Sequence, residues 1–148
     1  MGKMLGYMLT WTTYGSWLQG DRRGYVKDGE LLGENPKLWK ANIKSQSDNK
    51  VTLKEQEREI VRKAILNEAE KLGQKIYSLA VCSNHVHLVA GYISDPINEV
   101  VGYYKNTARA ALQTNGFVGR VWTKGYDKRY CFDERSLKQR IDYVRRHK

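Results

Sequence analysis

Residues 81–92 read Val-Cys-Ser-Asn-His-Val-His-Leu-Val-Ala-Gly-Tyr, an apolar run with no Asp, Glu, Lys or Arg, and His85 and His87 stand inside it two residues apart. In an extended strand successive side chains point to opposite faces. Both imidazoles therefore project from one side, while Val86 and Leu88 turn into the body of the protein and anchor the strand. Polar groups buried without partners are costly. Two rings set among Val, Leu and Ala are thus either satisfied by the protein itself or share a metal ion.

The chain has 148 residues, which suits one domain, residues 1–148, with one core. Its apolar runs are far shorter than the roughly 20 residues a membrane helix needs, so no membrane association is expected. The apolar, weakly basic start has no small-residue cleavage site behind it and reads as a first strand rather than a leader. Cys82 and Cys131 form no Cys-x-x-Cys pair, as expected of two ordinary thiols in a reducing cytoplasm. Charge is more telling. The formal net is +10, and residues 101–148 hold 12 Lys/Arg against 4 Asp/Glu, so +8 of it sits in the last third. That asymmetry fits either a polyanion-binding face or a solubilising surface.

Residues 5–14, rich in Tyr, Thr, Trp and Leu, predict a strand. Residues 15–49 have no sustained period and carry Gly15, Gly20, Gly24, Gly29, Gly33 and Pro36, which predicts a long loop. Thr52-Leu53-Lys54-Glu55 has the form of a capping box, and Ile60, Val61, Ala64, Ile65 and Leu72 then mark a helix face that Gly73 ends. Two strands, 76–82 and 86–92, join through Ser83-Asn84. Asp95-Pro96 opens a second helix with Ile97, Val101, Tyr104, Ala108 and Leu112 inward, closed by Asn115-Gly116. Residues 120–122 and 126–132 predict short strands. Asp133 caps a last helix running to His147 over a Leu137, Ile141 and Val144 stripe. The order β-α-β-β-α-β-α predicts an α+β sandwich, a mainly antiparallel sheet with helices on one face.

On that last helix Tyr143 and His147 are one turn apart, on a face shared with Ser136 and Arg140. The face lies about a quarter-turn from the apolar stripe. Tyr143 is therefore free to reach over the sheet, or to pack half-buried against it.

Three blocks together resemble the single-tyrosine HUH transposases, the group that includes the insertion-sequence-200-like and REP-associated tyrosine transposases. Ser83-Asn84-His85-Val86-His87-Leu88-Val89 is similar to that family's Pro-Asn-His-Val-His-Leu core. Val121-Trp122 with Gly125-Tyr126 and the closing Arg140-Ile141-Asp142-Tyr143-Val144 follow in the family's order and spacing. The resemblance implies a ferredoxin-like or RRM-like sheet with the histidines on a central strand and a C-terminal helix bearing the tyrosine. It implies cleavage and rejoining of single-stranded DNA, in which Tyr143 attacks a phosphodiester, forms a 5′-phosphotyrosine link and frees a 3′-hydroxyl. It implies a divalent ion, Mg²⁺ or Mn²⁺, on His85 and His87, with His147 where the family usually has Gln or Asn. Three imidazoles would favour Mn²⁺ or another transition metal over Mg²⁺. A homodimer, a DNA partner with hairpins and a cytoplasmic, nucleoid-associated location are further expectations of the same resemblance.

The chemistry of these residue types agrees. A phenol, with pKa about 10, is a poor nucleophile near neutrality without help from a metal or base. DNA also needs cations and stacking surfaces. Lys105 and Arg109 on the second helix, and Arg120, Lys124, Lys128 and Arg129 around the Gly-Tyr block, are expected to meet phosphates. Trp122, Tyr126 and Tyr130 are candidates to stack on bases, although a tryptophan beside strands, such as Trp122, is more often core; Arg22 and Arg23 are candidates to meet a hairpin. Competing readings are a domesticated, non-catalytic DNA- or RNA-binding module of the same fold, a replication-initiator or relaxase type of nickase, and a zinc hydrolase using His85, His87 and His147.

Overall fold

Leu53 enters the protein interior ahead of the first helix, 1% exposed, with its amide donating to the Ser83 carbonyl at 2.7 Å. This anchoring delays the helix. The computed structural model, which describes residues 3–16 and 50–147, has Lys54 rather than Thr52 as the N-cap of α1 (Glu55–Leu72). The Lys54 amide donates to Glu57 Oε1 at 2.8 Å, so the carboxylate half of the expected capping box forms two residues late. Gly73 ends the helix at φ 68°, a left-handed conformation that costs glycine little.

The remaining elements are β1 (Gly6–Thr12), β2 (Ile76–Val81), β3 (His85–Gly91), α2 (Ile97–Thr114), β4 (Asp127–Cys131) and α3 (Glu134–Arg145). The strands form one sheet in the order β2-β3-β1-β4, with every pairing antiparallel. This is the α+β, ferredoxin-like arrangement expected. The stretch at 120–122 makes only an isolated bridge, Trp122 to Thr13, rather than a strand. The last helix stops at Arg145, which leaves His147 just beyond it. Most of the expected 15–49 loop, with Arg22, Arg23, Trp17 and Trp39, lies outside the described residues.

Alternation divides the core in two. Tyr7, Leu9 and Trp11 of β1 and Val86, Leu88 and Ala90 of β3 face α1 and α2, meeting Val61, Ile65, Val100, Tyr104 and Leu112. Burying each of these large side chains contributes roughly 1.5–3 kcal/mol. Met8, Ala80 and Val89 face the other way and take Leu137, Ile141 and Val144 of α3. Asp133 caps α3 by accepting from the Ser136 amide at 2.7 Å, as its position predicts. The tyrosine helix thus covers the second face of the sheet alone.

Sequence patterning gives no hint of Gln74. Buried between the layers, its Nε2 donates to the Tyr7 hydroxyl at 2.7 Å and to the Gly91 carbonyl at 2.8 Å. Its Oε1 accepts from the Tyr104 hydroxyl at 2.5 Å. Burial raises the pKa of both phenols above the usual tyrosine range. Gln74→Leu would strand three buried polar groups at about 1–3 kcal/mol each before relaxation. A loss of about 3 kcal/mol in urea unfolding is expected. A loss below about 0.5 kcal/mol would show that the network carries no weight.

Candidate active site

The β1–β3 register pairs Thr10 with His87 and Thr12 with His85. Directly opposed residues share a face, so both histidines lie on the α3 side of the sheet, as alternation predicts. There α3 brings Tyr143, 36% exposed, to a ring-centroid distance of 5.6 Å from His87. His147 lies 4.7 Å from His87, 6.2 Å from His85 and 4.3 Å from Tyr143, and the two strand histidines are 4.6 Å apart. The chain has three histidines, and all three meet here. Among the described residues, however, no group of three or more His, Cys, Asp or Glu side chains is arranged to hold a metal ion as it stands.

Each imidazole is held through Nδ1. His85 bonds Asn84 Oδ1 at 2.6 Å, His87 bonds Thr10 Oγ1 at 2.8 Å, and His147 bonds the Tyr143 main-chain oxygen at 2.8 Å. Carbonyl oxygens only accept, so His85 and His147 donate to them through Nδ1, and in the neutral form of either ring Nε2 carries the lone pair. Burial, reinforced by the neighbouring His85 and His147, lowers His87 to about 4. Burial, then His147, also lowers His85. Both strand imidazoles are therefore neutral near pH 7, the form that coordinates metals.

The tyrosine helix is fastened beside these rings. Cys82 Sγ donates to the His147 main-chain oxygen at 3.1 Å and Ser78 Oγ to the Ile141 oxygen at 3.4 Å. Cys82, expected as an ordinary thiol, thus helps hold the end of the chain that carries His147. Burial raises its pKa, with Arg58 opposing. It and Cys131 are both free thiols.

Two of the expected DNA-contacting residues, Lys128 and Arg129, point to opposite faces of β4. Arg129 shares the histidine face, opposite Met8, and its Nε pairs with Asp127 at 3.0 Å. Lys128 faces the other way, exposed, with its ammonium 5.7 Å from the Tyr130 ring. Lys105 on α2 donates to the Thr123 and Gly125 carbonyls at 2.9 and 2.7 Å, and burial lowers its pKa. It ties the Gly-Tyr segment to α2 rather than standing free. Arg120 donates to the Trp122 carbonyl at 3.1 Å and lies 4.9 Å over the Tyr14 ring. Arg109 and Lys124 are exposed.

Trp122 corrects the expectation of a stacking residue. It is 7% exposed, donates Nε1–H to the Lys105 carbonyl at 3.0 Å and meets Trp11 edge-on at 6.1 Å. Its faces belong to the core because the Thr13 bridge draws the segment inward. Tyr126 is also partly buried, whereas Tyr130 is exposed. Sequence reading missed Thr10 as a histidine partner, since 77 residues separate the two and only strand register joins them. Asn84 was legible as a turn residue but not as the acceptor for His85.

No protein-family model matches this sequence, and no curated protein matches it either. Solved structures do. A REP-associated tyrosine transposase bound to a REP hairpin superposes with a TM-score of 0.57 at 11% identity, over 97% of this chain and 67% of that one. A candidate transposase from Deinococcus radiodurans R1 gives 0.51 at 15% identity, over 99% and 93%. The chain has the fold of the tyrosine transposases. At these identities the likeness is one of architecture, an α+β fold with a four-stranded antiparallel sheet and three helices. No helix among the described residues of this transposase fold is long and apolar enough to cross a membrane.

The depressed His87 makes the metal-free protein acid-sensitive. An unfolded histidine takes its proton near 6.5 and the native one only near 4, so the unfolded state binds more protons between them. The stabilisation is complete above about 6.5 and is lost as pH falls towards 4, by up to about 3 kcal/mol. Urea midpoints measured with a chelator at pH 7 and pH 4.5 should diverge for the parent protein and less for His87→Gln. Equal divergence would place the acid sensitivity elsewhere.

Proposed function

We propose that this protein is a metal-dependent single-strand DNA transposase working through a 5′-phosphotyrosine intermediate. The observation that carries this reading is the meeting of every histidine of the chain with Tyr143 on one sheet face. The fold shared with a REP-associated tyrosine transposase bound to a REP hairpin supports it, as does the basic C-terminal third.

His85, His87 and His147 are the residues that would hold a divalent ion. Their donor chemistry fits, since Asn84 and the Tyr143 oxygen leave two of the rings with an open Nε2. The 6.2 Å gap between His85 and His147 is the widest of the three, and His147, past the end of α3, is the ligand placed to close it. An all-imidazole set favours Mn²⁺ or another transition ion over Mg²⁺. When bound, the ion would polarise the scissile phosphate and offset its developing charge.

The chain's own part is nucleophilic attack. The Tyr143 oxygen forms a bond to phosphorus, the bond to the 3′ oxygen breaks, and that oxygen leaves as a hydroxyl carrying the proton. The phosphotyrosine ester conserves the bond for rejoining, so strand transfer needs no nucleotide cofactor. Arg129, on the same face and paired with Asp127, is a cation that would meet a neighbouring phosphate. A homodimer is part of this proposal, on the strength of the sequence resemblance.

With a labelled single-stranded hairpin substrate and Mn²⁺, the parent protein should form a denaturant-resistant adduct mapping to Tyr143. Tyr143→Phe should abolish that adduct and leave DNA affinity within about twofold, and a chelator should stop cleavage. DNA binding without an adduct in the parent protein would favour the non-catalytic module. Metal-dependent cleavage that survives Tyr143→Phe would favour the zinc hydrolase.

DNA affinity should fall steeply between about 50 and 200 mM salt, and Arg129→Gln should reduce the log–log slope by about 1. A flat salt profile would remove the basic residues from the interface.

A further inference from the structure

His87 differs from its two neighbours in what holds it. Asn84 Oδ1 and the Tyr143 carbonyl can only accept, so His85 and His147 donate to them through Nδ1. The Thr10 hydroxyl, 2.8 Å from His87 Nδ1, can accept or donate. One arrangement puts the proton on Nδ1 and bares Nε2. The other reverses both and turns an N–H towards the space the three rings share. Thr10 is 3% and His87 7% exposed, so water does not stand in for either partner. The bond crosses the paired central strands, where Thr10 and His87 are directly opposed.

We propose that Thr10 is a positioning residue, whose hydroxyl oxygen accepts from His87 Nδ1 and so keeps Nε2 turned bare towards the metal position between the three imidazoles. This rests on the metal site proposed above. The neighbouring rings decide the direction. His85 and His147, 4.6 and 4.7 Å from His87, bare their Nε2 atoms when neutral, because each donates through Nδ1. A third lone pair completes a donor set for a cation, whereas an Nε2–H leaves only two donors. Partners of this kind hold the ring and its tautomer in metal sites, and their loss commonly costs 10–100-fold in affinity. Valine matches threonine in shape but accepts nothing, and serine keeps the oxygen.

The test uses the full chain labelled with ¹⁵N-histidine, first without metal at pH 7.5, then titrated with Zn²⁺ and with Mn²⁺. In the parent protein and Thr10→Ser, His87 should show a protonated Nδ1 and a bare Nε2. In Thr10→Val the His87 signals should move towards the opposite tautomer, with those of His85 and His147 unchanged as proof that the site is intact. Metal affinity should fall 10–100-fold in Thr10→Val and stay within about threefold in Thr10→Ser. Unmoved His87 signals with an unchanged affinity in Thr10→Val would overturn the proposal. A parent protein that binds neither ion, yet shows the tautomer change in Thr10→Val, would uphold the hold on the ring and overturn its metal purpose.

Discussion

Antiparallel pairing of the two central strands underlies everything else in this molecule. Fourteen residues, seven on each strand, are joined in register from Gly6 opposite Gly91 to Thr12 opposite His85. A one-residue slip would exchange the faces of a whole strand, turning the histidines into the apolar layer and Leu88 out of it. The apolar layer under α1 and α2 prevents that slip, because Tyr7, Leu9, Trp11, Val86, Leu88 and Ala90 find their burial there in one register only. The hydrophobic core and the position of the imidazoles are thus consequences of one alignment.

On the other face the packing is sparser. Four buried residues, Met8, Ala80, Val89 and Val144, with Leu137 and Ile141 partly buried beside them, seat the C-terminal helix on the sheet. The angular offset between that stripe and Tyr143 decides what the helix presents. Because the stripe faces the sheet, Tyr143 falls beside His87, and His147 follows one turn on with its Nδ1 bonded to the Tyr143 carbonyl. The third imidazole is therefore tied to the main chain of the residue that carries the phenol. Two further tethers, from Cys82 and Ser78, fasten main-chain oxygens of that segment to the β2 side.

Electrostatics at the site run towards neutrality rather than charge. Three imidazoles crowd one space, and burial lowers His85 and His87. Lys105 and Arg120 bind carbonyls of the 122–125 segment, and Lys128 and Arg129, adjacent in sequence, point to opposite faces of β4. Alternation on the strand divides them.

Much of the architecture was legible in the residues. The alternation around His85 and His87, the Asp133 cap, the Leu137, Ile141 and Val144 stripe and the helix stop at Gly73 depend on neighbours a few positions away, and local steric and hydrophobic preferences suffice to read them. Boundaries were less legible. Thr52 has the right chemistry for a cap, but burial of Leu53 outweighs it, and between stacking and core the Thr13 bridge decides Trp122 for the core. Sequence by itself determined the element order, the face on which the two strand histidines project and the tyrosine's offset from its helix stripe. Only the tertiary structure decided that His147 would meet the other two histidines, that Thr10 and Asn84 would hold their rings, and that Gln74 would join the layers. Those contacts depend on strand register and helix docking between segments many residues apart, and no local preference encodes such a distance.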